Sequence, residues 1–281
     1  MSLELIEQLS LPGSATRPNE DSFAVLDDAA LVMDGATPLG PSLLPGPSDA
    51  AWIAQFGARR LTAHLKDGDA PQEALKHALE DAARSFIGLS REAIREKWQT
   101  PCASMMLTVE TEKKQFEFLW FGDCAALVEH EGRVALVGEA LEKRKEEAER
   151  ARRIAKEKNI SAAAGINRPE IEPLLRAARN RINAGKNWLF SPDVRAASHV
   201  SHQTLSLEAG TSLLIASDGF LALATDYDAY DAAGLMAAAK SKGLAALGQE
   251  LRAIEDSDAT GTQFSRFKKS DDATALLLKV G

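Results

Sequence analysis

Four stretches of the chain place carboxylates where they could act together. Two apolar runs, Leu31-Val32-Met33 and Leu213-Leu214-Ile215-Ala216, lead into Asp34-Gly35 and Ser217-Asp218-Gly219. Asn19-Glu20-Asp21 comes early, and Asp271-Asp272 directly precedes the last apolar run. An apolar run that stops at an acid reads as a buried strand pushing a carboxylate out of its tip. The glycine that follows allows close backbone approach, so its carbonyl can serve as a further oxygen ligand. Hard divalent ions such as Mg2+ and Mn2+ take oxygen ligands and keep several waters. One Asp-Gly alone carries little meaning, because turns use the pair constantly. Two such strand ends, with a double acid and an early Asn-Glu-Asp, point to acids that meet on Asp34 and hold divalent cations.

Elements able to position these acids can be read along the chain. The start is strand-like, and 12–19 is a loop rich in Gly, Ser, Thr and Pro. Strands are expected over 22–26 and 30–33, joined by the turn Asp27-Asp28. Ser48 is a good N-cap for a helix to about Leu65, with Asp49 also placed as a capping acid. Pro71 suits the first turn of a second helix running toward Trp98, with a break near Gly88. Short apolar runs at 103–109, 116–121, 125–128 and 134–137 are linked tightly enough to predict an antiparallel meander. Residues 139–158 hold eight basic and six acidic side chains at i,i+4 spacings, which reads as a solvated helix, with a flap beside the site as the sharper reading. Residues 170–184 predict another helix, 204–207 and 212–216 strands, 230–242 and 244–254 helices, and 273–280 a last strand. Strands in blocks and helices in blocks indicate an α+β fold. No Pro/Ser-rich linker divides the chain, so 1–281 is read as a single domain with the charged segment at about 139–184 as flap or insertion.

Composition narrows the partners. The chain has 281 residues, is 45% hydrophobic and carries a formal charge of −8. An acidic protein repels phosphate backbones, which argues against nucleic acid. The chain has no apolar run of bilayer-spanning length and no basic, signal-like start, so a cytoplasmic protein is expected. Cys102 and Cys124, the only cysteines, lie in apolar surroundings and read as small buried hydrophobes. His199 and His202 are spaced like a metal pair but lack a third ligand nearby, and they read as surface residues. His64, His77 and His130 read as ordinary helix or turn residues, and the four tryptophans as packing.

Taken in order, Asn19-Glu20-Asp21, Val32-Met33-Asp34-Gly35, Trp120-Phe121-Gly122-Asp123, Ala216-Ser217-Asp218-Gly219 and Asp271-Asp272-Ala273-Thr274 resemble the motifs of the metal-dependent type 2C serine/threonine protein phosphatases. Asp34-Gly35-Ala36-Thr37 is similar to a bacterial subgroup of that family. The resemblance spans Asn19 to Val280. It implies a four-layer α-β-β-α sandwich with two central antiparallel sheets and a two-metal site at one edge. It implies that Asp34 bridges two Mg2+ or Mn2+ ions, that Gly35 offers its carbonyl, and that Asp218 and Asp271 complete the first ion's carboxylates. Glu20 and Asp21 would act largely through bound water. Asp123 matches an acid of a third metal site, but its Gly-Asp-Ser-Arg motif is Gly-Asp-Cys-Ala here and Ala222 replaces a further acid. Two ions are therefore expected, and a third would be held weakly if at all. Arg17 is the candidate phosphate grip, one residue closer to Asp21 than in relatives. A water between the cations would become hydroxide near neutrality and attack phosphorus in line. The family's leaving-group histidine has no counterpart at Ala36-Thr37.

The expected partners are a phosphorylated protein substrate and a cognate kinase, and the chain itself is expected to be a monomer in cytoplasmic signalling. Two alternatives stand beside this reading: a pseudophosphatase-like binding module, motivated by Gly-Asp-Cys-Ala and Ala222, and a small-molecule phosphatase on the same fold. A haloacid dehalogenase-type enzyme, whose signature Met33 to Thr37 echoes, would need its nucleophilic Asp at Val32 and fails there.

Overall fold

The computed structural model describes residues 2–139, 171–264, 266 and 268–281. The highly charged stretch read as a solvated helix or flap lies outside the described residues from 140 to 170. Ten described strands form two antiparallel sheets of five. The first joins β1 (Leu3–Leu11), β10 (Ala273–Val280), β9 (Ser212–Ala216), β6 (Ala125–His130) and β7 (Arg133–Val137), in that order. The second joins β2 (Asp21–Val25), β3 (Ala29–Gly35), β4 (Ala103–Glu112), β5 (Gln115–Phe121) and β8 (Ser201–Ser206).

The sheets pack face to face because their strands are apolar on both sides. In β3, Ala30 and Val32 meet Leu213, Ile215, Leu276 and Leu278 of the opposite sheet. The alternate residues Leu31 and Met33 pack beneath α1 (Asp49–Lys66) and α2 (Pro71–Leu89), against Ile53, Leu61, Leu75 and Leu79. The outer face of the first sheet does the same. Leu214, Ala216, Ala275 and Leu277 lie under α4 (Asp218–Thr225), α5 (Ala232–Lys242) and α6 (Leu244–Ser257). Strands buried on both faces read as continuous apolar runs instead of alternating ones. Each fully buried Leu or Met contributes roughly 1.5–3 kcal/mol relative to exposure. The result is the expected α-β-β-α sandwich.

The expected meander is cut in two. β4–β5 is a hairpin of the second sheet, whereas β6–β7 belongs to the first. The chain changes sheets at Gly122-Asp123-Cys124, where Gly122 has φ +72, a conformation disfavoured for other residues. α2 passes through Gly88 and stops at Leu89, where the Ser90 hydroxyl donates to the Phe86 carbonyl at 2.6 Å. Trp98 instead sits in a short 3-10 turn, Lys97–Gln99. The helix expected over 170–184 is described as α3 (Glu172–Arg179). Ser48 caps α1 as expected, accepting from the Ala50 and Ala51 amides. Asp49 does different work: its carboxylate accepts from the Leu43 and Leu44 amides and pins the preceding loop.

Candidate metal-dependent active site

Strand register brings the acids to one rim. In the second sheet Asp21 pairs directly with Asp34, and Asp34 pairs on its other side with Ser104. Alternation puts Asp34 on the same face as Val32, turned toward the opposite sheet. In the first sheet Ala216 lies between Ala125 and Ala275. Residues 123, 218 and 271 therefore project just beyond neighbouring strand ends. Carboxylate oxygens of Asp34, Asp123 and Asp218 lie within 4.8 Å of one another. Asp218 is also the first residue of α4, a helix start the sequence reading does not include.

Hydroxyls and backbone groups hold this arrangement. Ser217 donates to Asp21 Oδ2 at 2.8 Å, and Ser104 donates to Asp123 Oδ1 at 2.6 Å. Asp272 accepts from the Gly13 amide at 2.6 Å and the Glu20 amide at 2.7 Å, so it ties the early loop to the last strand and supports its neighbour Asp271. The two Asp-Gly glycines are required by close approach. A Cβ on Gly35 would sit 2.7 Å from the Glu20 carbonyl oxygen and collide with that of Ala50, and one on Gly219 would collide with the Asp272 carbonyl. Glu20 is buried, and its two oxygens accept from the hydroxyls of Thr37, at 2.6 Å, and of Ser48.

The cluster is electrostatically unfavourable without a counter-cation. Burial pushes the Asp34 carboxyl well above the usual carboxylate range, and the charges of Asp218, Asp21 and Asp271 push it further. Burial likewise raises Asp21 to about 8 against the pull of Ser217 and Thr274. Asp21 Oδ1 is buried with no hydrogen-bond partner. A buried acceptor left in that state costs free energy that a cation or its water would offset. An all-oxygen donor set of mutually repelling carboxylates fits a hard divalent ion.

Residues 14–252 match the family described as Protein phosphatase 2C. The chain belongs to that family. Membership makes it a metal-dependent protein serine/threonine phosphatase, a hydrolase. Solved structures of the same fold include the Mycobacterium tuberculosis serine/threonine phosphatase PstP/Ppp, 14% identical over 100% of this chain and 99% of that one, TM-score 0.58. The PPM Ser-Thr phosphatase MsPP from Mycobacterium smegmatis, in complex with cacodylate, is 15% identical over 99% of both chains, TM-score 0.56. The PstP catalytic domain in complex with 2 manganese ions is 13% identical over 99% of this chain and 98% of that one, TM-score 0.56. Direct comparison with curated protein sequences returns no match.

The phosphatase's acids open into a cleft of about 490 Å³. Asp34, Gly35, Asp123, Asp218 and Asp271 line one wall. Leu175, Ala178, Arg179 and Ile182, from α3 and the turn after it, line another. Two cations that the motifs do not include also line the cleft. Lys268 donates to Asp271 Oδ1 at 2.7 Å and to Thr37 Oγ1 at 2.9 Å. Burial works against its charge, but Asp271, Asp34 and Asp218 outweigh this and hold the amine above its ordinary value. Arg179 donates to the Ala36 and Thr37 carbonyls at 3.4 Å, and Arg176 to the Leu39 carbonyl at 2.8 Å. Thr37 thus links Glu20 to Lys268, at the position where the family's histidine is missing. Arg17, the expected phosphate grip, lies exposed in the loop before Glu20 and outside the cleft lining. A larger cavity of about 700 Å³ lies beyond Arg179, lined by Phe86, Ile94 and Lys97 among others. Burial pushes both thiols up, so Cys102 and Cys124 are inert packing.

No helix among the described residues is long and apolar enough to cross a membrane.

Proposed function

We propose that the acid rim around Asp34 is the centre at which this phosphatase hydrolyses phosphoserine and phosphothreonine esters on proteins. The observation that carries the reading is the meeting of Asp34, Asp123 and Asp218 within 4.8 Å. When bound, two divalent cations, Mg2+ or Mn2+, supply an activated water and offset charge on the phosphate oxygens. A phosphatase of this fold that holds 2 manganese ions supports a two-ion centre. Asp34 and the Gly35 carbonyl would hold these cations, with Asp218 and Asp271 as the remaining carboxylates. Asp21 would act through bound water and Asp123 would stand at the third position, whereas Glu20, expected to join Asp21, has both oxygens taken by Thr37 and Ser48. Lys268 and Arg179 are the cleft cations assigned to the phosphate, in the place first given to Arg17. A guanidinium fork suits phosphate oxygens, and the Lys268 ammonium adds a compact point charge. Of the segment around 139–184, Leu175 to Ile182 face the cleft and are read as part of its wall within a single domain. A monomeric, cytoplasmic enzyme opposing a cognate kinase in signalling completes the proposal.

The test uses metal-stripped protein on phosphoserine and phosphothreonine peptides, with p-nitrophenyl phosphate and nucleotides alongside. Hydrolysis should require added Mn2+ or Mg2+ and favour the peptides. Asp34→Asn should lose more than the roughly 10–100-fold typical of removing a ligand's supporting partner. Wild-type rates in that variant would remove Asp34 from the mechanism. Metal binding without hydrolysis of any substrate would instead favour the binding-module reading.

A further inference from the structure

A second set of metal-type donors lies at the far end of α1, about 22 Å along that helix from Asp49. His64 is in the last turn of α1, Asp69 is in the link that follows, and His77 is in α2. A nitrogen from each histidine and an oxygen of Asp69 lie within 4.8 Å of one another. His64 Nδ1 is 3.4 Å from Asp69 Oδ2, and His77 Nδ1 is 2.7 Å from the same oxygen. All three side chains are partly buried. The sequence shows two histidines on separate helices, and only the hairpin between them makes a site.

The His64 ring is already oriented for a ligand. Its Nε2 is 2.9 Å from Asp81 Oδ2, a pure acceptor, so Nε2 carries the proton. The competing contact, with Arg60 Nη2 at 3.3 Å, is the longer one, and Asp81 also takes Arg60 and Arg84. With its Nε2 edge held by Asp81, His64 turns its Nδ1 edge to the Asp69 carboxylate at 3.4 Å. A divalent cation could replace a proton between that nitrogen and the Asp69 oxygen, with the imidazole already aimed at it. A carboxylate behind a histidine, as Asp81 is behind His64, is the arrangement that orients a metal-binding imidazole.

We propose that His64, Asp69 and His77 bind one zinc-class divalent cation that staples the α1–α2 turn. Bonds of about 2.0–2.1 Å in a tetrahedral site put ligand atoms roughly 3.3 Å apart. The His64–Asp69 pair already has that spacing, and the His77–Asp69 pair must open by about half an ångström. Water takes the fourth place. Two imidazoles select Zn2+ or Co2+ over Mg2+, whereas the all-oxygen rim at Asp34 prefers the harder ions. The two sites therefore separate by chemistry as well as by distance.

The test is a Co2+ titration of metal-stripped full-length protein, read by visible absorption and calorimetry. It is run with the Asp34 rim silenced in two ways, by Asp34→Asn and by saturating Mg2+ on wild type. One equivalent with the intense visible bands of tetrahedral Co2+ is expected in both, displaced by Zn2+. His77→Ala should abolish those bands, and Asp69→Asn, which keeps an acceptor oxygen, should weaken binding at least about 10-fold. Circular dichroism and Mn2+-dependent phosphatase activity should be unchanged in His77→Ala. Absence of the bands in both silenced backgrounds would overturn the site, as would their persistence in His77→Ala.

Discussion

Replacing Asp34 by Asn should stabilise the metal-free protein while destroying its response to metal. The Asp34 carboxyl is buried among Asp218, Asp21 and Asp271, and its pKa is raised well above the ordinary 3.8. A carboxyl whose folded pKa is raised contributes full stability below its unfolded pKa and loses it as pH rises toward the folded one. The penalty grows by about 1.4 kcal/mol per pH unit, which sets a ceiling of about 5 kcal/mol near pH 7.5. The neighbouring acids share protons with Asp34, so the penalty belongs to the group. The Asn amide N–H can still donate to Asp218, as the protonated Asp34 carboxyl does. A net gain of about 1–3 kcal/mol is expected for Asn, or roughly 2–5 °C in thermal midpoint for a chain of this size. The assay is thermal unfolding of both proteins in EDTA at several pH values, then in Mn2+. The advantage of Asn should be present near pH 7.5 and vanish near pH 4. Mn2+ at about 100 times its dissociation constant should raise wild type by about 2.7 kcal/mol per site and reverse the order. A lower midpoint for Asn in EDTA at pH 7.5, or parallel pH profiles for the two proteins, would refute the repulsion argument.

Three other outcomes follow from the same geometry. Because burial pushes the Asp21 carboxyl up to about 8, Mn2+ must displace its proton below that pH; affinity should climb from pH 6 to 8 with measurable proton release, seen by calorimetry in buffers of different ionisation enthalpy. Lys268→Met should raise KM for phosphopeptide about 10-fold and also tighten Mn2+ binding, since the ammonium that shares Asp271 Oδ1 is gone. Gly35→Ala should cost about 1–3 kcal/mol in urea unfolding, because its Cβ meets the Ala50 and Glu20 carbonyls, and activity should fall with the displaced α1 start.

The local part of the fold was legible because it is written in neighbouring residues. A strand buried on both faces must be a continuous apolar run, and its end at an acid is visible without any partner, so Leu31 to Gly35 and Leu213 to Gly219 mark the rim directly. Ser48 and Pro71 announce helix starts for the same reason. The meander over 103–137 was misread where only long-range packing decides. β5 and β6 lie end to end in sequence, and nothing local says that Gly122-Asp123 carries the chain across to the other sheet.

Side-chain direction decided the rest. Glu20 and Asp21 are adjacent, but Asp21 opens β2 and Glu20 lies just before it, and their side chains turn different ways. Asp21 enters the rim, and Glu20 turns to Thr37 and Ser48. Lys268 reaches Thr37 across 231 residues of chain, and Arg179 reaches Ala36 across 143. Such pairings cost loop entropy and leave no periodic trace, so the two cleft cations had no sequence signal. The sequence alone determined which acids could bind metal, because ligand chemistry belongs to residue type. The tertiary structure decided which of them meet, which cations face them, and that two separate histidines share an oxygen, because distance and direction are set only when the layers pack.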